Sequence, residues 1–110
     1  MNTITATELK YRIDHGDQVF LVNALEEEKF KARHIPSSLN LFTKEGIEEN
    51  LKKNDTIVVY CTDQSCNKSI LLYYLLEAMG YKHIYRFPGG LREWEEKGYP
   101  VEGEMINLKN

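Results

Sequence analysis

The chain has 110 residues, 42% of them hydrophobic and 28% charged, a composition that suits one globular domain with a single core and excludes a disordered or fibrous chain. A formal net charge of -3 leaves no basic surplus, so the electrostatic footprint of a nucleic-acid binder is missing. No run approaches the ~20 apolar residues a spanning helix needs, and Met1 to Ala6 lacks a basic stretch followed by an apolar one, so no membrane association is expected and the protein is read as cytoplasmic.

In chain order, Thr5 to Glu8 has capping-box form, and Leu9 and Ile13 follow at helical spacing until Gly16 stops a short first helix. Val19 to Val22 is a compact apolar run of the kind covered on both faces in a parallel sheet, ended by Asn23 and Ala24. Glu26 to Ala32 reads as a brief exposed helix. It leads into His34-Ile35-Pro36, where the proline disfavours helix at Ile35. Leu39 to Leu41 is a minimal strand, and Thr43 to Lys53 a surface helix resting on Ile47 and Leu51.

Asp55 opens a buried strand that runs to Cys61. Ser69 to Met79 carries Ile70, Leu71, Tyr74 and Leu75 at spacings of three and four, and Gly80 closes that helix. His83 to Phe87 forms a last strand, Pro88 to Gly90 a turn, and Leu91 to Lys97 a final helix with Trp94 on its inner side. Alternating strands and helices predict an α/β domain with a mainly parallel sheet, one unit over residues 1–110 with a loosely held tail from about Glu102.

The chemistry concentrates after the Thr56 to Cys61 strand. An apolar, β-branched run ending in a thiol, then a polar loop, then a helix start, sets Cys61 at the strand's carboxyl end facing free backbone amides. Such amides bind anions and favour the thiolate, the reactive form of cysteine. The anion-binding loop is expected to comprise Thr62, Asp63, Gln64, Ser65, Asn67, Lys68 and Ser69, with Cys66 inside it. Two cysteines five positions apart share one loop and do not staple distant segments. With two cysteines and three scattered histidines there is no metal-ligand spacing, and no cofactor is called for.

Several separated pieces together match one family. Phe20 to Ala24, Glu28 to Phe30 leading to His34-Ile-Pro-Ser-Ser38, Val58 to Cys61, Gly80 to Tyr85, Gly89-Gly90 with Trp94, and Gly98 to Val101 stand in the order and close to the spacing of a single-domain rhodanese-like protein, which this chain resembles. The resemblance implies a five-stranded, mainly parallel sheet flanked by helices, with the active loop cradling a cysteine at the end of a central strand. It also implies sulfur transfer: Cys61 would take sulfane sulfur from thiosulfate, a polysulfide or a persulfide, and pass it to a thiol or cyanide-type acceptor. The partners implied are that small donor and acceptor, or a thiol on a partner protein. The oligomeric state is not readable.

The chain departs from the family's commonest pattern in three places. Lys68-Ser69 stand where an arginine and a hydroxyl residue usually enter the helix, after two extra loop residues. Lysine attracts an anionic donor as a point charge but lacks arginine's bidentate fork. Asn23-Ala24-Leu25 replace the frequent Asp-Val-Arg. Leu25 together with a second loop cysteine, Cys66, resembles a subgroup whose substrates are less defined.

Each candidate also has a plainer role to weigh. Cys61 could close a buried strand as a small apolar residue, although strand-loop-helix context and the resemblance speak for the reactive role. Cys66 could be a bystander, a thiol that resolves a persulfide on Cys61, or the primary nucleophile near the helix start. Bridging requires Cα atoms about 4.4–6.8 Å apart. Ser69 is read as a helix N-cap, His34 as part of a structural turn, and His15 and His83 as surface residues. Beside sulfur transfer stand two alternatives: a non-catalytic binding or anion-sensing module, and a thiol-disulfide redox protein using Cys61 and Cys66. Phosphoryl or arsenate chemistry is disfavoured because no loop residue supplies an arginine fork.

Overall fold

The computed structural model describes residues 1–105. Five helices alternate with four strands: α1 (Ala6–Asp14), β1 (Val19–Asn23), α2 (Glu27–Ala32), β2 (Leu39–Asn40), α3 (Lys44–Asn50), β3 (Thr56–Tyr60), α4 (Lys68–Ala78), β4 (His83–Phe87) and α5 (Gly90–Glu96). The sheet order is β2-β1-β3-β4 and every pairing is parallel.

The resemblance leads to an expectation of five strands, whereas the described residues form four. The N-terminal segment reaches the β4 edge but pairs there through one bridge only, Thr3 with Arg86. Arg86 N–H donates to the Asn2 carbonyl (2.8 Å) and Ile4 N–H to the Arg86 carbonyl (2.9 Å). The pairing stops because Thr5 is already committed to α1: its hydroxyl accepts from Glu8 N–H and the Glu8 carboxylate accepts from Thr5 N–H, the expected capping box.

Period-two alternation sorts the strand side chains between two cores. Leu21, Val58, Tyr60 and Phe87 join Leu9, Leu91 and Trp94 on the side of α1 and α5. Val22, Ile57, Val59 and Ile84 join Ile47, Leu72 and Leu76 on the side of α3 and α4. Covering both faces accounts for the continuous apolar runs in β1 and β3. Trp94 is held by its indole N–H, which donates to the Pro100 carbonyl (2.7 Å), and by an edge contact with Tyr99.

Helix α4 turns a different stripe inward from the one its spacing suggests. Ser69, Leu72, Tyr73 and Leu76 are buried, while Leu71 is 68% and Tyr74 50% exposed. This helix is apolar nearly all round, so periodicity offers two registers. The observed one satisfies two hydroxyl residues internally: Tyr73 OH accepts from Asn2 N–H (3.0 Å) and Ser69 Oγ accepts from Arg86 Nε (2.9 Å).

The expected loose tail falls partly outside the described residues. Within them, Glu102 pairs with His34 in an antiparallel bridge, backbone to backbone at 2.8 and 2.9 Å. Among the described residues no helix is long and apolar enough to cross a membrane.

Candidate active site at the end of β3

Parallel pairing brings the carboxyl ends of β1, β3 and β4 to one edge, and Cys61 follows directly on β3, 1% exposed. The loop 62–67 carries the chain to α4, whose N-cap is Asn67. It is shaped by Asp63: one carboxylate oxygen accepts from Ser65 N–H (3.0 Å) and Ser65 Oγ (2.6 Å), and the Asp63 carbonyl accepts from Cys66 N–H (3.2 Å). The Ser65 hydroxyl above all, then its amide, holds the Asp63 carboxyl below the usual range. From the other side, Leu91 N–H donates to the Cys61 carbonyl (3.0 Å) and Arg92 N–H to that of Thr62 (2.9 Å).

That second contact explains Gly90. Its φ is +59°, and a Cβ there would stand 2.4 Å from the Cys61 carbonyl oxygen. Only glycine lets the first turn of α5 approach the loop so closely.

The loop folds Cys66 back so that its sulfur is in bonding contact with that of Cys61, the Cα atoms 6.4 Å apart. This is within the span a disulfide bridges. Of the two residues Cys66 is the more exposed. The Cys61 sulfur also lies 3.4 Å from Ser69 Oγ and 3.6 Å from the Cys66 carbonyl oxygen.

Several expected site residues are placed differently. The cradle of free amides is reduced, because Ser65 and Cys66 spend their N–H groups on Asp63 rather than on the Cys61 sulfur. Ser69 is not the N-cap: it sits one residue inside α4, with its hydroxyl between Arg86 and Cys61. Lys68 is ion-paired with Glu26 at the start of α2, which ties α4 to the β1–α2 turn. Thr62, Gln64 and Asn67 are exposed.

Open clefts flank the loop. One of about 390 Å³ is lined by Asp63, Gln64, Ser65, Gly89, Arg92 and Glu93, with Glu96, and another of about 490 Å³ includes Leu25, Thr62 and Leu91. Cys61 lines neither.

His34 is remote in its bonding. Nδ1 pairs with the Phe30 carbonyl (2.7 Å), Nε2 with the Glu102 carboxylate (3.1 Å), and the ring stacks on Phe30. Asn23 takes the place of the family's frequent aspartate, fully buried, its Oδ1 accepting from Leu25 N–H (2.8 Å). Leu25 is packed into the same core as Cys61. Among the described residues no cluster of three or more His, Cys, Asp or Glu could hold a metal ion.

Sequence reading passed over Arg86. It lies on β4, 9% exposed, and its guanidinium donates from Nε to Ser69 Oγ (2.9 Å) and from a terminal nitrogen to the Cys66 carbonyl (3.4 Å). A signal was available: alternation along β4 puts Arg86 on the side of buried Ile84, beneath α4, and a charge there needs a reason.

A parallel α/β sheet with a buried cysteine at its carboxyl edge, a second cysteine folded onto it and a helix beginning behind it is the arrangement on which the comparisons bear. The chain belongs to the rhodanese-like domain family, whose model matches residues 5–97. Thiosulfate/3-mercaptopyruvate sulfurtransferase 2 of Arabidopsis thaliana is 25% identical over 100 residues, 89% of this chain and 29% of that protein. The chain spans less than half the length of the curated relatives it matches. Among solved structures, a Bacillus halodurans protein superposes with a TM-score of 0.87 at 21% identity, covering 94% of this chain and 78% of that one. The rhodanese-like domain of an Anabaena protein does so at 0.85 and 23%, covering 96% and 82%. Both share the fold.

Proposed function

We propose that this protein carries sulfane sulfur on Cys61 and that Cys66 is the thiol able to discharge it. The observation that supports this most is the bonding contact of the two sulfurs at the carboxyl end of β3. Membership of a family that includes a thiosulfate sulfurtransferase adds to it.

The steps balance without a metal or cofactor. The Cys61 thiolate attacks the outer sulfur of thiosulfate, the donor S–S bond breaks, and sulfite leaves with the electron pair, giving a Cys61 persulfide. An external thiolate that attacks the outer sulfur leaves as a persulfide and restores the Cys61 thiolate; cyanide would leave as thiocyanate. Alternatively the Cys66 thiolate attacks the inner sulfur, hydrosulfide leaves, and the Cys61–Cys66 disulfide forms. An external dithiol then resets the pair by two exchanges, beginning at Cys66, the more exposed residue. The reducing cytosol would supply such thiols, free or on a partner protein.

The same sulfur contact favours a second reading, a thiol-disulfide redox protein that never holds a persulfide. Intact-protein mass spectrometry separates the two. Reduced wild type, Cys61→Ser and Cys66→Ser are exposed briefly to thiosulfate or polysulfide. Gain of one sulfur atom, retained in Cys66→Ser and absent in Cys61→Ser, is the expected result. Loss of two hydrogens with no sulfur-bearing species at any time selects the redox reading. No change with either donor removes both and leaves a binding module, the reading that Lys68 and Leu25 motivate.

A further inference from the structure

Arg86 is a buried cation without a carboxylate: among the described residues no acidic side chain forms an ion pair with it. A guanidinium out of water is costly unless an anion or several acceptors compensate it. Two neutral acceptors are in reach, Ser69 Oγ and the Cys66 carbonyl. Ser69 Oγ accepts a hydrogen bond from Arg86 Nε–H, which leaves its own hydroxyl free to donate, and the Cys61 sulfur stands 3.4 Å away.

We propose that Arg86 is a positioning residue which, through the Ser69 hydroxyl, holds reduced Cys61 as a thiolate and thereby takes the place of the cationic fork that the loop lacks. The chain of donors runs Arg86 Nε–H to Ser69 Oγ–H to the Cys61 sulfur. The thiolate is then the counter-ion that the guanidinium otherwise goes without. This rests on reading Cys61 as the reactive thiol, but not on the fate of any sulfur it carries.

The other charges around the loop are poorer candidates. Asp63 in the loop is an anion and opposes a thiolate. Lys68, on the first turn of α4, is paired with Glu26. On α5, Arg92 and Glu93 line the open cleft beside the loop, where water screens them. Arg86 is the buried charge of the group.

Redox behaviour follows from the same contact. Oxidation to the disulfide removes the thiolate and strands the guanidinium, so Arg86 favours the reduced pair and makes the disulfide more oxidising. Replacing Arg86 should make the pair more reducing.

The test uses the full chain in a Cys66→Ser background, where Cys61 is the sole thiol. Thiolate absorbance and the rate of iodoacetamide alkylation are followed against pH for Arg86, Arg86→Met, Arg86→Lys and Ser69→Ala. With Arg86 the midpoint should lie well below the free-cysteine value of about 8.5. Arg86→Met should raise it by about one unit or more, slowing alkylation below the midpoint by about tenfold. Ser69→Ala should shift it in the same direction, the double variant should add little to Arg86→Met, and Arg86→Lys should restore part of the shift. A natively folded Arg86→Met with an unchanged midpoint overturns the proposal. Should Arg86→Met not fold, an unchanged midpoint in Ser69→Ala overturns it equally. A midpoint that follows Arg86 in a protein that never takes up sulfur would leave this inference standing and remove the sulfur-transfer reading.

Discussion

Two buried polar clusters flank the carboxyl end of β3, and they are built on opposite principles. One is neutral and closed. Tyr60 OH accepts from Ile35 N–H (3.0 Å) and bonds Ser38 Oγ (2.8 Å), which itself donates to the Ile35 carbonyl (2.7 Å). Burial pushes the Tyr60 phenol above its ordinary value, keeping it protonated. The other cluster, Arg86, Ser69 and Cys61, carries a full charge and ends on a sulfur. A satisfied neutral network fixes a turn, here the Ile35–Pro36 crossing, at little risk. A charge left without a carboxylate is a cost that stability alone does not explain, and a thiolate on reduced Cys61, as proposed above, would offset it.

The largest expected effect separates the clusters sterically. Gly90→Ala places a Cβ against the Cys61 carbonyl at a left-handed φ, and should destabilise the protein on the order of 3 kcal/mol by denaturant unfolding. Because the strain falls on the loop side, Cys61 and Cys66 should form their disulfide more slowly than in wild type. Persistence of wild-type disulfide formation and stability in Gly90→Ala would show that α5 does not hold the loop.

Tyr60→Phe probes the neutral cluster. It leaves the buried Ile35 N–H without its acceptor, at a cost of about 1–3 kcal/mol, while the titration midpoint of Cys61 should stay in place. Its pH dependence has a definite sign. Since the folded-state value is raised from 10.0, the stability tied to the neutral phenol is complete below that pH and is lost as pH rises through the higher folded-state value. Unfolding free energies of Tyr60→Phe should therefore fall less steeply on the alkaline side than those of wild type. Parallel curves would mean that Tyr60 does not report on this network.

Such residues also mark how far the sequence could be read. The capping box of Thr5 and Glu8, the three longer strands and the place of Cys61 all rest on local patterns, a cap, an alternation, a strand end, and each is found in the fold. What was missed depends on contacts distant in sequence. The inward stripe of α4 is chosen by Asn2 and Arg86, not by hydrophobic period. Lys68 is claimed by Glu26 across the β1–α2 turn, and a fifth strand is limited to one bridge by competition with the α1 cap. Arg86 stands twenty residues beyond Cys66, so no inspection of the loop itself could supply it, although its alternation with Ile84 could.

Asp63 offers the smallest and most discriminating test. Its carboxylate acts on the loop in two ways, as the acceptor that shapes the Asp63–Ser65 turn and as a negative charge two positions along the chain from Cys61. Asp63→Asn keeps an acceptor oxygen and removes the charge. Because the carboxyl is held below its ordinary 3.8, its contribution is present above that pH and disappears as pH falls through the lower folded-state value. The variant should thus lose this acid-side dependence while its stability at neutral pH stays close to wild type. In the Cys66→Ser titration the Cys61 midpoint should move slightly down, since an opposing charge has gone, against the upward shift from Arg86→Met. Opposite signs from the two substitutions would mean that the thiol responds to charge. An upward shift in both would instead assign the effect of Asp63 to loop shape, and would leave the buried guanidinium as the one electrostatic handle on Cys61.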